Sequence, residues 1–286
     1  VSGKNNVFSI LICEMKKYIL PAFLLFSIIY SGCSSSPYSA TNRVYRKQAK
    51  DLARSLEALP PVANYGGKVP AYQVGTVNLN LRKPNYVIIH HTAQNSCEQT
   101  LKTFTLQRTQ VSAHYVICKD GTVHHMLNDY FRAWHAGNGK WGNNTDINSS
   151  SIGIELDNNG FEPFADSQIE SLLKLLTVLK KNYSIPVANF IGHSDIAPGR
   201  KVDPNANFPW QRLSESGFGH WPDTLLDTVP PAFNSVHALR MIGYNVKDSV
   251  AAIKAFKLHF IQTDTSPVVT PRDKAVLQNL VKKLDL

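Results

Sequence analysis

Three short apolar runs constrain this chain more than any other feature. Tyr86-Val87-Ile88-Ile89, Ile152-Gly153-Ile154-Glu155-Leu156 and Asn189–His193 are too short for helices and read as strands. Two helical patterns separate them. Gln99 to Arg108 carries Leu101, Phe104 and Leu106. Ile169, Leu172, Leu173, Leu176 and Leu179 recur at helical spacing as far as Tyr183, behind Ser167-Gln168-Ile169-Glu170, which fits a capping box. Ala113–Cys118 and Thr122–Leu127 flank Lys119-Asp120-Gly121, a turn sequence suited to a hairpin. Strands alternating with helices, plus one hairpin, predict an α/β fold whose mixed central β-sheet is flanked by helices.

The two ends of the chain read differently. Met15, Lys16-Lys17, an apolar run from Tyr18 to Tyr30 and Ser31-Gly32-Cys33-Ser34 have the layout of a secretory signal. The run is shorter than the roughly 20 apolar residues that span a bilayer. The Gly-Cys junction resembles a bacterial lipobox, with Tyr30 standing where leucine is usual, and makes Cys33 the expected site of lipidation. Residues 1–32 are then upstream sequence and signal peptide, and 33–69 an anchor and tether with one short helix over Lys47–Leu59. After Trp221-Pro222 and the Pro230-Pro231 linker come three short helical patterns. They hold Val236, Leu239 and Met241; then Val250, Ile253, Phe256 and Phe260; then Val276, Leu277, Leu280 and Val281 behind Thr270-Pro271, an N-cap with proline at N1. A small all-helical C-terminal domain over 231–286 is therefore expected beside a catalytic domain over 70–222. A length of 286 residues suits two domains.

Charge identifies no partner. The net charge is +9, and Lys4, Lys16 and Lys17 against Glu14 account for two of it, leaving +7 from Cys33 onward. The basic residues are scattered, with no run longer than a pair, which argues against nucleic acid as a partner. Cys97 and Cys118 could pair in an exported protein or remain buried thiols, and the chain has no C-x-x-C zinc pattern.

The chemistry sits where strands end. Val87-Ile88-Ile89-His90-His91 delivers two adjacent histidines, only one of which can face a given site. Phe190-Ile191-Gly192-His193 delivers another, and ligands gather at strand C-termini in open α/β sheets. Ten residues on, Gly199-Arg200-Lys201-Val202-Asp203-Pro204 offers a carboxylate; Pro204 favours extended backbone at Asp203, which sets Lys201 and Asp203 on one side. Two histidines and a carboxylate suit Zn²⁺ and leave a fourth position for water. The alternative is a set of core histidines with a surface Lys–Asp pair.

Seven segments then fall in a known order: His90-His91-Thr92-Ala93, Ala113-His114-Tyr115-Val116-Ile117, Asp120-Gly121-Thr122-Val123, Ala133-Trp134-His135-Ala136-Gly137, Asp146-Ile147-Asn148, Ser151–Leu156 and Gly192–Pro204. In this order they resemble the zinc-dependent N-acetylmuramoyl-L-alanine amidases, the superfamily of phage lysozyme-amidases and peptidoglycan-recognition proteins. The likeness is greatest to the outer-membrane lipoprotein amidases of Gram-negative bacteria. It covers roughly residues 80–215.

The resemblance implies Zn²⁺ held by His90, His193 and Asp203, with Glu155 and Lys201 as the catalytic pair. It implies contacts to muramyl-peptide from His114, Trp134 and His135. It implies hydrolysis of the amide between N-acetylmuramic acid, or its 1,6-anhydro form, and L-alanine, on peptidoglycan or muropeptides. The expected location is the periplasmic face of a membrane, held by the lipid anchor, with the C-terminal helices as a peptidoglycan-binding-like domain. Ser34 after Cys33 is compatible with outer-membrane sorting. Phage enzymes have a tyrosine at the position of Ala113, a non-carboxylate at Glu155 and a cysteine at Asp203, so this chain follows the glutamate version. The competing reading is a lipoprotein that binds peptidoglycan without cutting it; recognition proteins that have lost catalysis commonly lack a third ligand, and Asp203 is retained here. His91 is expected behind the site or in the core. His124-His125 is expected to alternate on its strand, and His220, His237 and His259 to be structural. Asp195 is a possible spare ligand.

Overall fold

The computed structural model describes residues 36–57, 76 and 78–284. The signal sequence, the lipobox at Cys33 and most of the 58–77 segment lie outside the described residues. The chain divides into two compact units, Val1–Gln73 and Val74–Leu286. In the first, helix α1 (Ser39–Glu57) is longer than the short helix expected and occupies much of the segment read as a tether. Its Tyr45, Ala49, Leu52 and Leu56 recur at helical spacing, and five basic residues lie on other faces.

In the second unit, β1 (Tyr86–His91), β2 (Tyr115–Ile117), β3 (Val123–His125), β4 (Ser151–Leu156) and β5 (Phe190–Gly192) form one sheet in the order β3-β2-β4-β1-β5. Only the β2–β3 hairpin is antiparallel. Helix α2 (Cys97–Thr105) starts at Ser96, whose hydroxyl accepts the Gln99 N–H at 3.2 Å. A disulfide joins Cys97 at its first turn to Cys118 beside the hairpin, deciding between the two states the sequence left open.

Helix α3 (Asp166–Tyr183) begins one residue before Ser167 and ends at Ser184 in the left-handed region. The expected capping box does not form. Ser167 instead donates its hydroxyl to the Lys119 carbonyl at 2.6 Å, a tertiary contact that local spacing cannot reveal. Ile169, Leu172, Leu176 and Leu179 of α3 pack on Val87, Ile89, Ile152, Ile154 and Leu156, an apolar core on one face of the sheet. Truncating any of these leucines to alanine costs about 2–5 kcal/mol.

The opposite face carries Ile88 and Ile191, and the C-terminal helices close over it. After two short helices, α4 (His193–Ile196) and α5 (Trp210–Glu215), come α6 (Ser235–Ile242), α7 (Ser249–Phe260) and α8 (Pro271–Lys282). Asn234 and Asp248 cap α6 and α7, and Thr270 forms a capping box with Asp273 at the start of α8. Leu239, Ala252, Phe256, Leu277 and Leu280 share a core with Ile88, Ile191 and Ile196. This core crosses the Pro230-Pro231 linker, so the three helices complete the sheet's second face. Among the described residues no helix is long and apolar enough to cross a membrane.

Candidate active site

Strand parity decides what meets on this second face. Ile88 faces the C-terminal helices, so His90, two residues on, does too, while His91 turns to the α3 side. His90 pairs in register with Glu155 on β4. β5 ends at Gly192, and α4 opens immediately with His193. Gly192 is needed there: a Cβ would lie 3.0 Å from Pro204 Cδ and 3.2 Å from both Asp195 Oδ2 and Trp210 Cζ2. That close packing brings the Asp203 segment against the end of β5, and the Ser194 N–H donates to the Asp203 carbonyl at 2.8 Å. The Asp203–Pro204 peptide is cis.

The three expected ligands converge. His90 Nδ1 and His193 Nδ1 are 2.9 Å apart, and each is 3.0 Å from Asp203 Oδ2. All three residues are buried. Burial, and then the neighbouring His193, push His90 down to a pKa of about 4.

The outer partners settle where the ring protons lie. His193 Nε2 is 3.2 Å from the Ala136 carbonyl, an acceptor, so that nitrogen carries the proton. Ser151 donates its hydroxyl to the Ile147 carbonyl at 2.6 Å, leaving its oxygen to accept from His135 Nε2 at 3.2 Å. His135 Nδ1 is then an acceptor for His90 Nε2, 3.0 Å away. Both Nδ1 atoms therefore present lone pairs to each other and to a carboxylate oxygen. Such a trio repels itself unless a cation sits among its members. Three donors bound at about 2.0–2.2 Å to one zinc stand roughly 3–3.5 Å apart, so the residues fit Zn²⁺ in donor chemistry and in spacing.

Glu155 stands beside this trio, its Oε1 4.0 Å from His90 Nδ1. Its Oε2 is buried and has no hydrogen-bond partner among the described residues. Burial first, and then Asp203, push its pKa up to about 8, while the Lys201 ammonium acts to lower it. Lys201 itself is exposed, whereas Asp203 is buried. Asp195 is not a spare ligand. Its carboxylate faces away from the trio, toward Tyr244 and His259.

Two of the expected substrate contacts are placed otherwise. His114 is fully buried, donating Nε2–H to the Phe131 carbonyl at 2.9 Å and accepting the Gly153 N–H on Nδ1 at 3.1 Å. One nitrogen serves β4 and the other the loop after β3, so neither is left for a substrate. His135 is buried behind His90 and fixes that ligand's tautomer, a role sequence reasoning missed. Its ring lies where a Cβ on residue 153 would come within 2.5 Å, which is why β4 carries glycine there. Trp134 is half exposed and remains free to touch a ligand. His91 accepts the Asn205 N–H at 3.1 Å, holding the segment after Asp203. On β3, His124 is half-buried and His125 exposed beside Asp129.

Three unprotonated donors beside a glutamate with a free oxygen are the equipment of a metal-assisted hydrolase. Residues 80–206 match the family model described as N-acetylmuramoyl-L-alanine amidase. The chain is 32% identical over 229 residues to the N-acetylmuramoyl-L-alanine amidase AmiD of Escherichia coli K12, covering 69% of this chain and 82% of that protein. It is 38% identical over 112 residues to the 1,6-anhydro-N-acetylmuramyl-L-alanine amidase AmpD of Haemophilus influenzae, covering 39% of this chain and 61% of that one. Two solved structures share the fold. The E. coli AmiD complex with anhydro-N-acetylmuramic acid-L-Ala-D-gamma-Glu-L-Lys aligns at a TM-score of 0.65 and 29% identity, covering 74% of this chain and 95% of that one. Pseudomonas aeruginosa AmpDh3 with anhydromuramic pentapeptide aligns at 0.66 and 26%, covering 76% and 98%. The chain belongs to the N-acetylmuramoyl-L-alanine amidases.

Proposed function

We propose that this protein hydrolyses the amide bond between N-acetylmuramic acid, or its 1,6-anhydro form, and L-alanine, releasing stem peptides from peptidoglycan or muropeptides. The observation that carries this reading is the trio of Nδ1 lone pairs and carboxylate at 2.9–3.0 Å, with Glu155 Oε2, which has no hydrogen-bond partner among the described residues, beside it. His90, His193 and Asp203 are its zinc ligands. Zinc held there would supply Lewis acidity, acidifying water and polarising the scissile carbonyl.

Glu155 moves the proton. Its carboxylate accepts one from the attacking water as that oxygen adds to the lactyl carbonyl carbon. It delivers the proton to the alanine nitrogen as the C–N bond breaks, which turns a poor leaving group into an amine. A protonated glutamate could not begin this sequence. The Lys201 ammonium acts to lower the pKa of Glu155, and a divalent cation held by the adjacent residues would lower it further. Lys201 also opposes the negative charge that develops on the carbonyl oxygen. Trp134 contributes an exposed aromatic face for the muramyl-peptide.

The same reading includes export and anchoring through acylated Cys33, facing the periplasm from the outer membrane of a Gram-negative cell. The sequence from Met15 to Ser34 supports it. It also assigns 33–69 to the tether, 70–222 to catalysis and 231–286 to a helical segment that adds contact with the wall.

The test is digestion of anhydro-muropeptides and of intact peptidoglycan, with products identified by mass spectrometry. Free stem peptides are expected, and thorough chelation should stop their release until zinc is restored. Muropeptide that is bound but returned intact by the zinc-loaded protein would support the non-catalytic lipoprotein instead.

A further inference from the structure

A second buried polar cluster lies behind His193. Asp195, fully buried two residues after that ligand, accepts three hydrogen bonds: the Gly192 N–H at 2.7 Å and His259 Nδ1–H at 2.7 Å on Oδ2, and the Tyr244 hydroxyl at 2.6 Å on Oδ1. Gly192 immediately precedes the ligand. Tyr244 follows α6 and His259 lies on α7, so two of the three donors come from the C-terminal helices. Both are buried, and the His259 ring is stacked between Trp210 and Phe260 at centroid distances of 3.8 and 3.9 Å. A second link runs to the segment after Asp203, where Gln262 donates to the Phe208 carbonyl at 2.7 Å.

We propose that the C-terminal helices brace the metal centre, with Tyr244 and His259 as positioning residues that act on His193 through Asp195. The physical reason is the shortness of α4. A four-residue helix has no rigidity of its own, so the direction of His193 depends on what holds its turn. Asp195 ties that turn to the end of β5 and to two rigid rings outside it. Partners that orient a ligand typically change metal affinity about 10–100-fold when removed. This role differs from contact with the wall, and it rests on the reading of His193 as a zinc ligand.

The experiment compares full-length wild type, Tyr244→Phe, His259→Leu and His259→Asn. Zinc affinity is read by competition with a chromophoric chelator, ligand geometry by the visible absorption of the cobalt-substituted protein, and stability by thermal unfolding without metal. Tyr244→Phe and His259→Leu should weaken zinc binding about tenfold and alter the cobalt spectrum. His259→Asn keeps a donor near the Nδ1 position and should recover most of the affinity. Leu277→Ala unpacks the same helices without touching Asp195; it should lower stability and leave zinc affinity unchanged.

Zinc affinity within twofold of wild type in folded Tyr244→Phe and His259→Leu would overturn the proposal, as would equal weakening by Leu277→Ala. If Tyr244→Phe and His259→Leu do not fold, the pair His259→Gln, whose longer side chain carries its amide past the Nδ1 position, and Leu277→Ala decides: zinc affinity weakened by the first and not by the second supports the brace, and any other result overturns it. A His193→Ala variant that binds zinc as tightly as wild type would overturn the ligand assignment itself, and the brace with it.

Discussion

Two buried polar clusters lie on either side of one short turn, and they are built in opposite ways. At Asp195 each carboxylate oxygen meets a hydrogen-bond donor, and the atom left without a partner among the described residues is His259 Nε2, on the ring edge away from the carboxylate. At His90, His193 and Asp203, lone pairs face one another and a neighbouring glutamate oxygen has no partner among the described residues. Burial is similar in the two. The difference lies in what faces the carboxylate: donors at Asp195, and lone pairs at Asp203. A carboxylate matched by donors holds the fold, and one set among lone pairs suits a cation.

The largest expected effect comes from breaking the cluster at Asp203. His90→Ala or Asp203→Asn should abolish tight zinc binding and turnover together, read by metal analysis of the dialysed protein and by stem-peptide release. The folded state should survive, because neither change leaves a new unpaired group as costly as the existing trio. Next comes Lys201→Ala, which should lower kcat about 10²–10³-fold while zinc content stays full, as the loss of one oxyanion partner predicts.

A third test uses pH on the metal-free protein. Glu155 is raised from about 4.5 to about 8 in the fold, so between those values the native state holds a proton that the unfolded chain releases, and stability falls as pH rises. His90 works in the opposite sense. Lowered from 6.5 to about 4, it stays neutral in the fold while the unfolded chain takes up a proton, so stability rises with pH across that window. The two oppose each other up to about 6.5, and only the Glu155 effect acts from there to 8. Metal-free wild type should therefore lose on the order of 2 kcal/mol between pH 6.5 and 8. Glu155→Gln should show no such fall in denaturant unfolding, and a parallel fall in that variant would remove Glu155 as its cause. The smallest effect is expected from Trp134→Ala, which should raise KM several-fold with kcat nearly unchanged, the pattern of a contact equal in ground and transition states.

What the sequence disclosed follows the range of the forces involved. The strand-end positions of His90 and His193 were legible because strand parity and the apolar runs are local. So was the Thr270-Pro271 start of α8, a cap made within four residues. Ser167 was misread for the complementary reason, since its hydroxyl is taken by Lys119, 48 residues away. His114 and His135 carried the right motif but no sign of burial; whether a histidine faces a cleft or a neighbouring strand depends on the packing of β2 and β4. Tyr244 carried no signal, and His259 read only as structural, with no pointer to Asp195. Their tie to Asp195 forms only when helices from beyond the proline linker close over the sheet, and the apolar pattern of α6 and α7 is what any helical bundle would show.

The central claim is that the cluster at Asp203 holds zinc and that Glu155 carries the proton. It is tested most directly by Glu155→Gln, with metal content and stem-peptide release measured on the same sample. The account predicts one zinc per chain, as in wild type, and turnover reduced by about 10²–10⁴-fold. Full zinc with stem peptides released at the wild-type rate would contradict it.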